Sequence, residues 1–427
     1  MKKTTTRLLA LICLVTMLLS LSSCDASGGA LNGGFYPMSP DASLKGEMAD
    51  GEMPEPEGGA EESEPTQLPS GMITAAAWVD NDNYAMWLEL FAQGEENGKF
   101  YQYTNTENSW GFTSLNRIKV SVKNGETPVA GATVIASDSD GKALFSAVSD
   151  AMGNAYIFTD AESGNISVKS GEGSAKATFS AEERDIEIAL SENGEKLNVI
   201  EIMLLLDVTG SMGDEMSFLK NELADVIYKI AQNNEGVIIN LALLFYRDTG
   251  DKVPFLYCDF ETVTNAEAMT KQQTALNNQH ADGGGDYPEA VDEALEMAVN
   301  KQWSTGATTK IIFHVLDAPA HDTVKNREKF QNAVKIAAEK GIRICPILCS
   351  GAAVLTEYTM REAALNTGGT FIFVTDDSGI GDAHYDPDLP NVTVELLNSL
   401  MVRIVNGYHT GEFAPPVYWK DDTNLSK

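Results

Sequence analysis

Val199-Ile-Glu-Ile-Met-Leu-Leu-Leu-Asp-Val-Thr-Gly-Ser-Met-Gly213 decides how the rest of the chain is read. An almost unbroken apolar run over 199–206 predicts a strand covered on both faces, the habit of parallel sheets, because a half-exposed strand alternates. The run stops at Asp207. A short turn carrying hydroxyls at Thr209 and Ser211 leads into Leu219, Leu223, Val226, Ile227 and Ile230, apolar positions at helical spacing.

The same alternation of strand and helix continues downstream. Buried strands are expected at 237–245, 311–316, 342–348 and 371–374, and helices at 324–340, 355–366 and 392–405. Val291, Ala294, Leu295 and Ala298 mark a further helix. This predicts an α/β fold over 196–410, a Rossmann-like, mostly parallel sheet with helices on both faces, followed by a tail at 411–427. No internal repeat is present.

Upstream the pattern changes. Over 113–195 short alternating runs, such as Ile118, Val120 and Val122 or Ile186, Ile188 and Leu190, are separated by turns at Asn124-Gly125, Asp140-Gly141 and Gly153-Asn154. They predict a small β-sandwich. Pro128-Val-Ala-Gly-Ala-Thr-Val134 with Ser149-Asp-Ala-Met-Gly153 resembles the carboxypeptidase-regulatory, transthyretin-like modules of bacterial surface proteins, which implies a spacer or docking role. Residues 73–112 are aromatic-rich, with a short helix expected near Asn83 and Asp80-Asn-Asp82 as its N-terminal cap.

The first 72 residues read as export and tether. Lys2, Lys3 and Arg7 precede an apolar run at 8–19 that is too short for a bilayer, giving a signal over 1–23. Leu21-Ser-Ser-Cys24 resembles the bacterial lipobox, which implies a lipid on Cys24 and a membrane anchor, hence an extracytoplasmic protein. Residues 24–72, rich in Gly, Ser, Pro and Glu, predict a disordered acidic linker. Of five cysteines only Cys258, Cys345 and Cys349 remain beyond it. Cys345 and Cys349 would lie roughly 13 Å apart along one strand, outside disulfide reach, so buried free thiols are expected.

The formal charge of −32 excludes a nucleic-acid partner, which needs basic patches. Three polar clusters fall at predicted strand ends: Asp207-Val-Thr209-Gly-Ser211, Gly283-Gly-Gly-Asp286-Tyr-Pro-Glu289 and Asp317-Ala-Pro-Ala-His321. Ligands of open parallel sheets gather at such ends. Asp207, Thr209, Ser211, Asp286 and Asp317 are the candidate metal ligands. Hard oxygen donors without thiolates suit magnesium, with manganese or calcium as the other options, rather than zinc. Arg247, Asp248 and Glu289 read as loop ion pairs or caps, His314 as a core histidine and His321 as a residue edging the site.

Residues 199–408 resemble a von Willebrand factor type A domain. The resemblance is carried by Asp207-Val-Thr-Gly-Ser-Met-Gly213, Tyr246-Arg-Asp248, Gly283-Gly-Gly-Asp-Tyr-Pro-Glu289 and Asp317-Ala-Pro319, and Asp207-x-Thr-x-Ser211 resembles the metal-ion-dependent adhesion site of such domains. It implies that Asp207, Thr209 and Ser211 form the first metal loop and that Asp317 acts through water. Thr209 replaces the usual serine and keeps its oxygen. Asp286 stands where a threonine is usual, and its charge would lower the ion's electrophilicity and favour calcium.

An enzymatic reading fails on detail. A nucleophile elbow needs glycine two residues before the serine, where Thr209 stands, and no glycine-lysine phosphate loop is present. The expected function is therefore a lipid-anchored binding or adhesion protein that captures a protein or glycan partner through an acidic group. The alternatives are an envelope scaffold or an accessory subunit that assembles without metal.

Overall fold

The computed structural model describes residues 73–105, 107–378 and 384–423. The signal, Cys24 and the acidic linker lie outside the described residues. Among those described, no helix is long and apolar enough to cross a membrane.

Among the described residues, sixteen strands form three sheets. The first strand, β1 (Thr74–Trp78), precedes the sandwich, whose strands are β2 (Arg117–Asn124), β3 (Thr127–Pro128), β4 (Thr133–Ser137), β5 (Ala143–Val148), β6 (Asn154–Phe158), β7 (Gly164–Ser170), β8 (Gly173–Phe179) and β9 (Asp185–Ala189). One sandwich sheet is ordered β3-β2-β6 with β9 against β2, and the other β5-β4-β7-β8. The turn glycines are obligatory where expected: Gly153 has φ +79°, and a Cβ there would sit 2.4 Å from the Val122 carbonyl oxygen.

The α/β layer follows with β10 (Lys196–Asp207), β11 (Ile238–Tyr246), β12 (Phe255–Thr262), β13 (Ala307–Leu316), β14 (Ile342–Leu348), β15 (Phe371–Val374) and β16 (Glu395–Leu396). Its eight strands run β12-β11-β10-β13-β14-β15-β1-β16, and β11, β10, β13, β14 and β15 are mutually parallel. The predicted α/β class is the observed one. Ile200, Ile202, Leu204 and Leu206 pack under helices α2 (Gly213–Asn233), α3 (Ala266–Asn277) and α7 (Leu397–Thr410). Met203 and Leu205 face the other side, with α4 (Val291–Val299), α5 (Val324–Lys340) and α6 (Val354–Thr367). Cys345 and Cys349 are buried free thiols and Cys258 is a half-buried one.

Two features depart from the sequence reading. The aromatic stretch is part of the α/β layer, because β1 pairs antiparallel with both β15 and β16, and the sandwich is thus inserted after the sheet's first strand. Trp87, Phe91 and Phe100, the first of them on α1 (Tyr84–Glu89), pack edge-to-face on one another, and Phe91 and Phe100 also meet Tyr358 of α6. Asp80 does not cap α1. The helix starts at Asn83 with no side-chain cap, and Asp80 is instead drawn into the core by Arg361, whose Nε donates to it at 3.0 Å. A buried guanidinium outcompetes an exposed helix end for a carboxylate.

Candidate metal-binding site

Asp207 ends β10 and is 1% exposed. Its Oδ1 accepts from the Thr209 backbone N–H at 2.9 Å and the Thr209 hydroxyl at 2.7 Å, which folds the turn back on the strand. Its Oδ2 is buried and has no hydrogen-bond partner. The turn continues as a 3₁₀ segment, Gly210–Met212, into α2, so the positive end of a 21-residue helix faces the same space.

The glycine loop is docked on this turn by two backbone hydrogen bonds, Asp282 N–H to the Val208 carbonyl and Gly210 N–H to the Gly283 carbonyl. Gly284 has φ +87°, and a Cβ there would stand 2.8 Å from Glu289 Oε1 and 3.3 Å from the Thr209 Cβ. Only glycine allows the loop to lie this close. Asp317, at the end of β13, accepts from the Ser211 hydroxyl. Tyr287 Oη closes one side by donating towards the Asp317 and Gly351 carbonyls at 3.3 and 3.2 Å. Together these loops line an open cleft of about 510 Å³.

Asp207, Thr209, Ser211 and Asp317 thus converge. Asp286 lines the same cleft from an exposed position at its rim, whereas Glu289, three residues on, is the carboxylate of that loop that enters the inner cluster. The sequence reads Glu289 as a loop ion pair or a cap, and the structure departs from this. It is 4% exposed, its Oε2 is buried without a partner, and a parallel bridge to Ala320 holds its backbone. The signal for it was the apolar Ala290-Val291 that follows, which drives the end of the loop inward, but no local pattern says which of Asp286 and Glu289 turns in.

Burial raises the carboxyls here, and the acids raise one another. Asp207 is pushed up to about 7, first by desolvation and then by Asp317, against the opposing Thr209 hydrogen bonds. Glu289 reaches about 9, first by desolvation and then through Asp207, Asp248, Asp317 and Asp251. Desolvation also raises Glu215, which accepts from Ser350 beside Asp317. Arg247 spends its donors on the Asp282 and His280 carbonyls, and His321 pairs with Asp248 at 2.8 Å rather than edging Asp317. His314 is a core residue, fully buried with Nε2 3.0 Å from Tyr246 Oη and its pKa lowered by burial to about 3.

Buried carboxylates that repel one another, with orphaned oxygens at Asp207 and Glu289, are the electrostatic pattern a cation relieves. The donors fit a hard divalent ion. Among the described residues no three His, Cys, Asp or Glu side chains are grouped to hold a metal, so an ion here would draw on the Thr209 and Ser211 hydroxyls and on water.

Residues 201–376 match the family model of the von Willebrand factor A domain. A curated relative, described as an ariadne-like RING finger protein of Acanthamoeba polyphaga mimivirus, is 26% identical over 216 residues, 48% of this chain. The chain spans 20% of that protein's length. Among solved structures, BatB of Bacteroides thetaiotaomicron is 14% identical, with 48% of this chain and 96% of that one covered and a TM-score of 0.33. The pilus adhesin SpaC of Lactobacillus rhamnosus GG is 12% identical, covering 58% of this chain and 32% of its own, with a TM-score of 0.34. A von Willebrand factor type A protein of Catenulispora acidiphila is 12% identical over 61% of this chain and 46% of its own, with a TM-score of 0.30.

Proposed function

We propose that this chain is an extracytoplasmic binding protein that captures an acidic group of a protein or glycan partner through a divalent cation. Asp207, Thr209 and Ser211 would hold the ion, with Asp317 acting through water and Asp286 at the rim. When bound, the ion supplies an open coordination position for a partner's carboxylate. The observation that carries the reading is the buried, partnerless Asp207 Oδ2, whose carboxyl is bonded through its other oxygen to Thr209, a residue that lines the open cleft.

Binding rather than catalysis is favoured by the surroundings of Ser211. Its hydroxyl donates to Asp317, and the nearest histidine of that loop, His321, is committed to Asp248. With a cation bound, Glu289 would lose the proton it otherwise holds and add negative charge nearby, which favours a cation that tolerates a charged, flexible oxygen cage and brings calcium level with magnesium.

The test is recovery of partners from envelope extracts by the wild-type chain and by Asp207→Ala, with and without EDTA. Recovery should disappear in the variant and in chelator, and return with added magnesium or calcium. The same partner recovered in every condition would refute metal-mediated capture. The anchor is tested separately: Cys24→Ala should release the protein into the medium, and continued membrane retention would remove the lipid from the account.

A further inference from the structure

The parallel strands place the metal-site loops at one edge of the sheet, and at the opposite edge β10, β13 and β14 begin. There the sandwich and the α/β layer leave a cleft of about 690 Å³, with Thr133 and Val148 on one wall and Lys301, Trp303, Lys310 and Lys340 on the other. A hollow of about 20 Å³ continues it inward past Lys310 and Lys340 to Asp150, Lys196, Arg343 and Tyr408. Five cations therefore meet two acids, Asp150 and Glu339, in a chain whose acids outnumber its bases 62 to 30.

Three of these cations donate to backbone carbonyls. Lys310, 6% exposed, donates to the Lys340 carbonyl at 3.0 Å, Lys340 donates to the Val299 carbonyl at 2.7 Å, and Lys196 donates to the His409 carbonyl. Each thereby caps the carbonyl end of a helix, yet an ammonium has three donors and this uses one. Arg343 is the independent observation. It is 7% exposed, rests on the Tyr408 ring at 5.1 Å, and its Nε is buried without a hydrogen-bond partner. Burial lowers the pKa of Lys310 despite the opposing charge of Glu201, which is bonded to Ser304 behind the cleft wall, and lowers that of Lys196, where Arg343 adds to the effect.

We propose that this cleft is an anion site for the phosphate or sulfate group of a small ligand, with Arg343 and Lys310 at its inner end and Lys301 and Lys340 at its mouth. The cations come from five separate segments, the starts of β10, β13 and β14, the end of α5 and the loop after α4. They approach from several sides, which suits the oxygens of a tetrahedral ion better than the two of a carboxylate. An anion in the wide part of the cleft would neutralise lysines that helix carbonyls only partly satisfy, and the hollow behind it has room for one water to carry the contact on towards Arg343. The cleft is larger than one ion, and the half-buried Trp303 gives it an apolar wall on which the rest of an ester would lie. None of this depends on the metal site.

Calorimetric titration of the full chain with inorganic phosphate and with glucose 6-phosphate, at ionic strength held constant with chloride, tests the site. Saturable binding is expected, weakened about tenfold in Arg343→Met, the size of one lost charge-assisted hydrogen bond. Lys301→Ala provides a second variant that does not threaten the fold, because Lys301 lies over the Tyr257 ring at the surface, and it should weaken binding in the same direction. Tighter binding of glucose 6-phosphate assigns the site to an organic ester, and equal binding assigns it to the free ion. Heats that fail to saturate, or that Arg343→Met and Lys301→Ala leave unchanged, would overturn the proposal.

Discussion

Arg361→Met is expected to lower unfolding free energy by about 3–5 kcal/mol, the cost of breaking a buried ion pair by removing one partner. Arg361 is 1% exposed on α6 and lies between two buried acids. Its Nε donates to Asp80 Oδ2 at 3.0 Å, and its Nη1 donates to Glu357 Oε1 at 2.9 Å. Glu357 keeps Lys99 at 2.7 Å and the Tyr385 hydroxyl at 2.8 Å, but among the described residues Asp80 keeps only the Trp78 indole N–H at 3.0 Å. The damage should therefore fall on Asp80, the residue that pins the chain after β1 to α6. Denaturant midpoints measure it. Asp80→Asn in the Arg361→Met background should recover part of the loss, because the orphaned charge disappears. A double variant no more stable than the single one would show that packing, rather than the uncompensated carboxylate, sets the cost.

The second large effect is a pH dependence centred on Glu362. This side chain is 1% exposed, accepts from the Ser114 hydroxyl at 2.7 Å and from Asn366 Nδ2 at 3.0 Å, and is pushed up to about 8, chiefly by desolvation. Below pH 4.5 the carboxyl is protonated in both the folded and the unfolded chain, and it contributes no pH dependence. As pH rises from 4.5 towards 8, the unfolded chain loses the proton and the folded one keeps it. Stability falls by about 1.4 kcal/mol per unit, roughly 5 kcal/mol across the window. Glu362→Gln removes this slope. Its amide N–H₂ would face the Asn366 donor, so below pH 4.5 the variant should be less stable by about 1–2 kcal/mol. Above about pH 6 it should be the more stable protein, and the two stability curves should cross. Parallel curves for the two proteins between pH 4 and 8 would exclude the assignment.

Much of the architecture was legible because it is local. The run at 199–206 and the helical spacing after it report burial on two faces directly, and β10 and α2 lie where that pattern puts them. Asp207, Thr209 and Ser211 are likewise neighbours in sequence, so their convergence needs only one turn. The helix expected over 392–405 begins at Leu397, because Glu395 and Leu396 are taken up as a strand beside β1. The edge strand β12 and the helix α3 carry weak periodicity and were not anticipated. Exposed positions on both elements dilute the apolar pattern.

What the sequence alone determined about this protein is the sum of its short-range patterns: the α/β class, the sandwich before it and the oxygen-rich turn at Asp207. The tertiary structure decided everything that depends on distant partners. It placed β1 between β15 and β16, about 300 residues away in the chain, and gave Asp80 to Arg361 rather than to the end of α1. It turned Glu289 inward and left Asp286 at the rim, and it gathered Lys196, Lys310 and Arg343 beneath the sandwich. The reason is physical. A periodicity records which face of an element is dry, whereas the partner of a buried charge is chosen by whichever opposite charge the packed chain brings within reach.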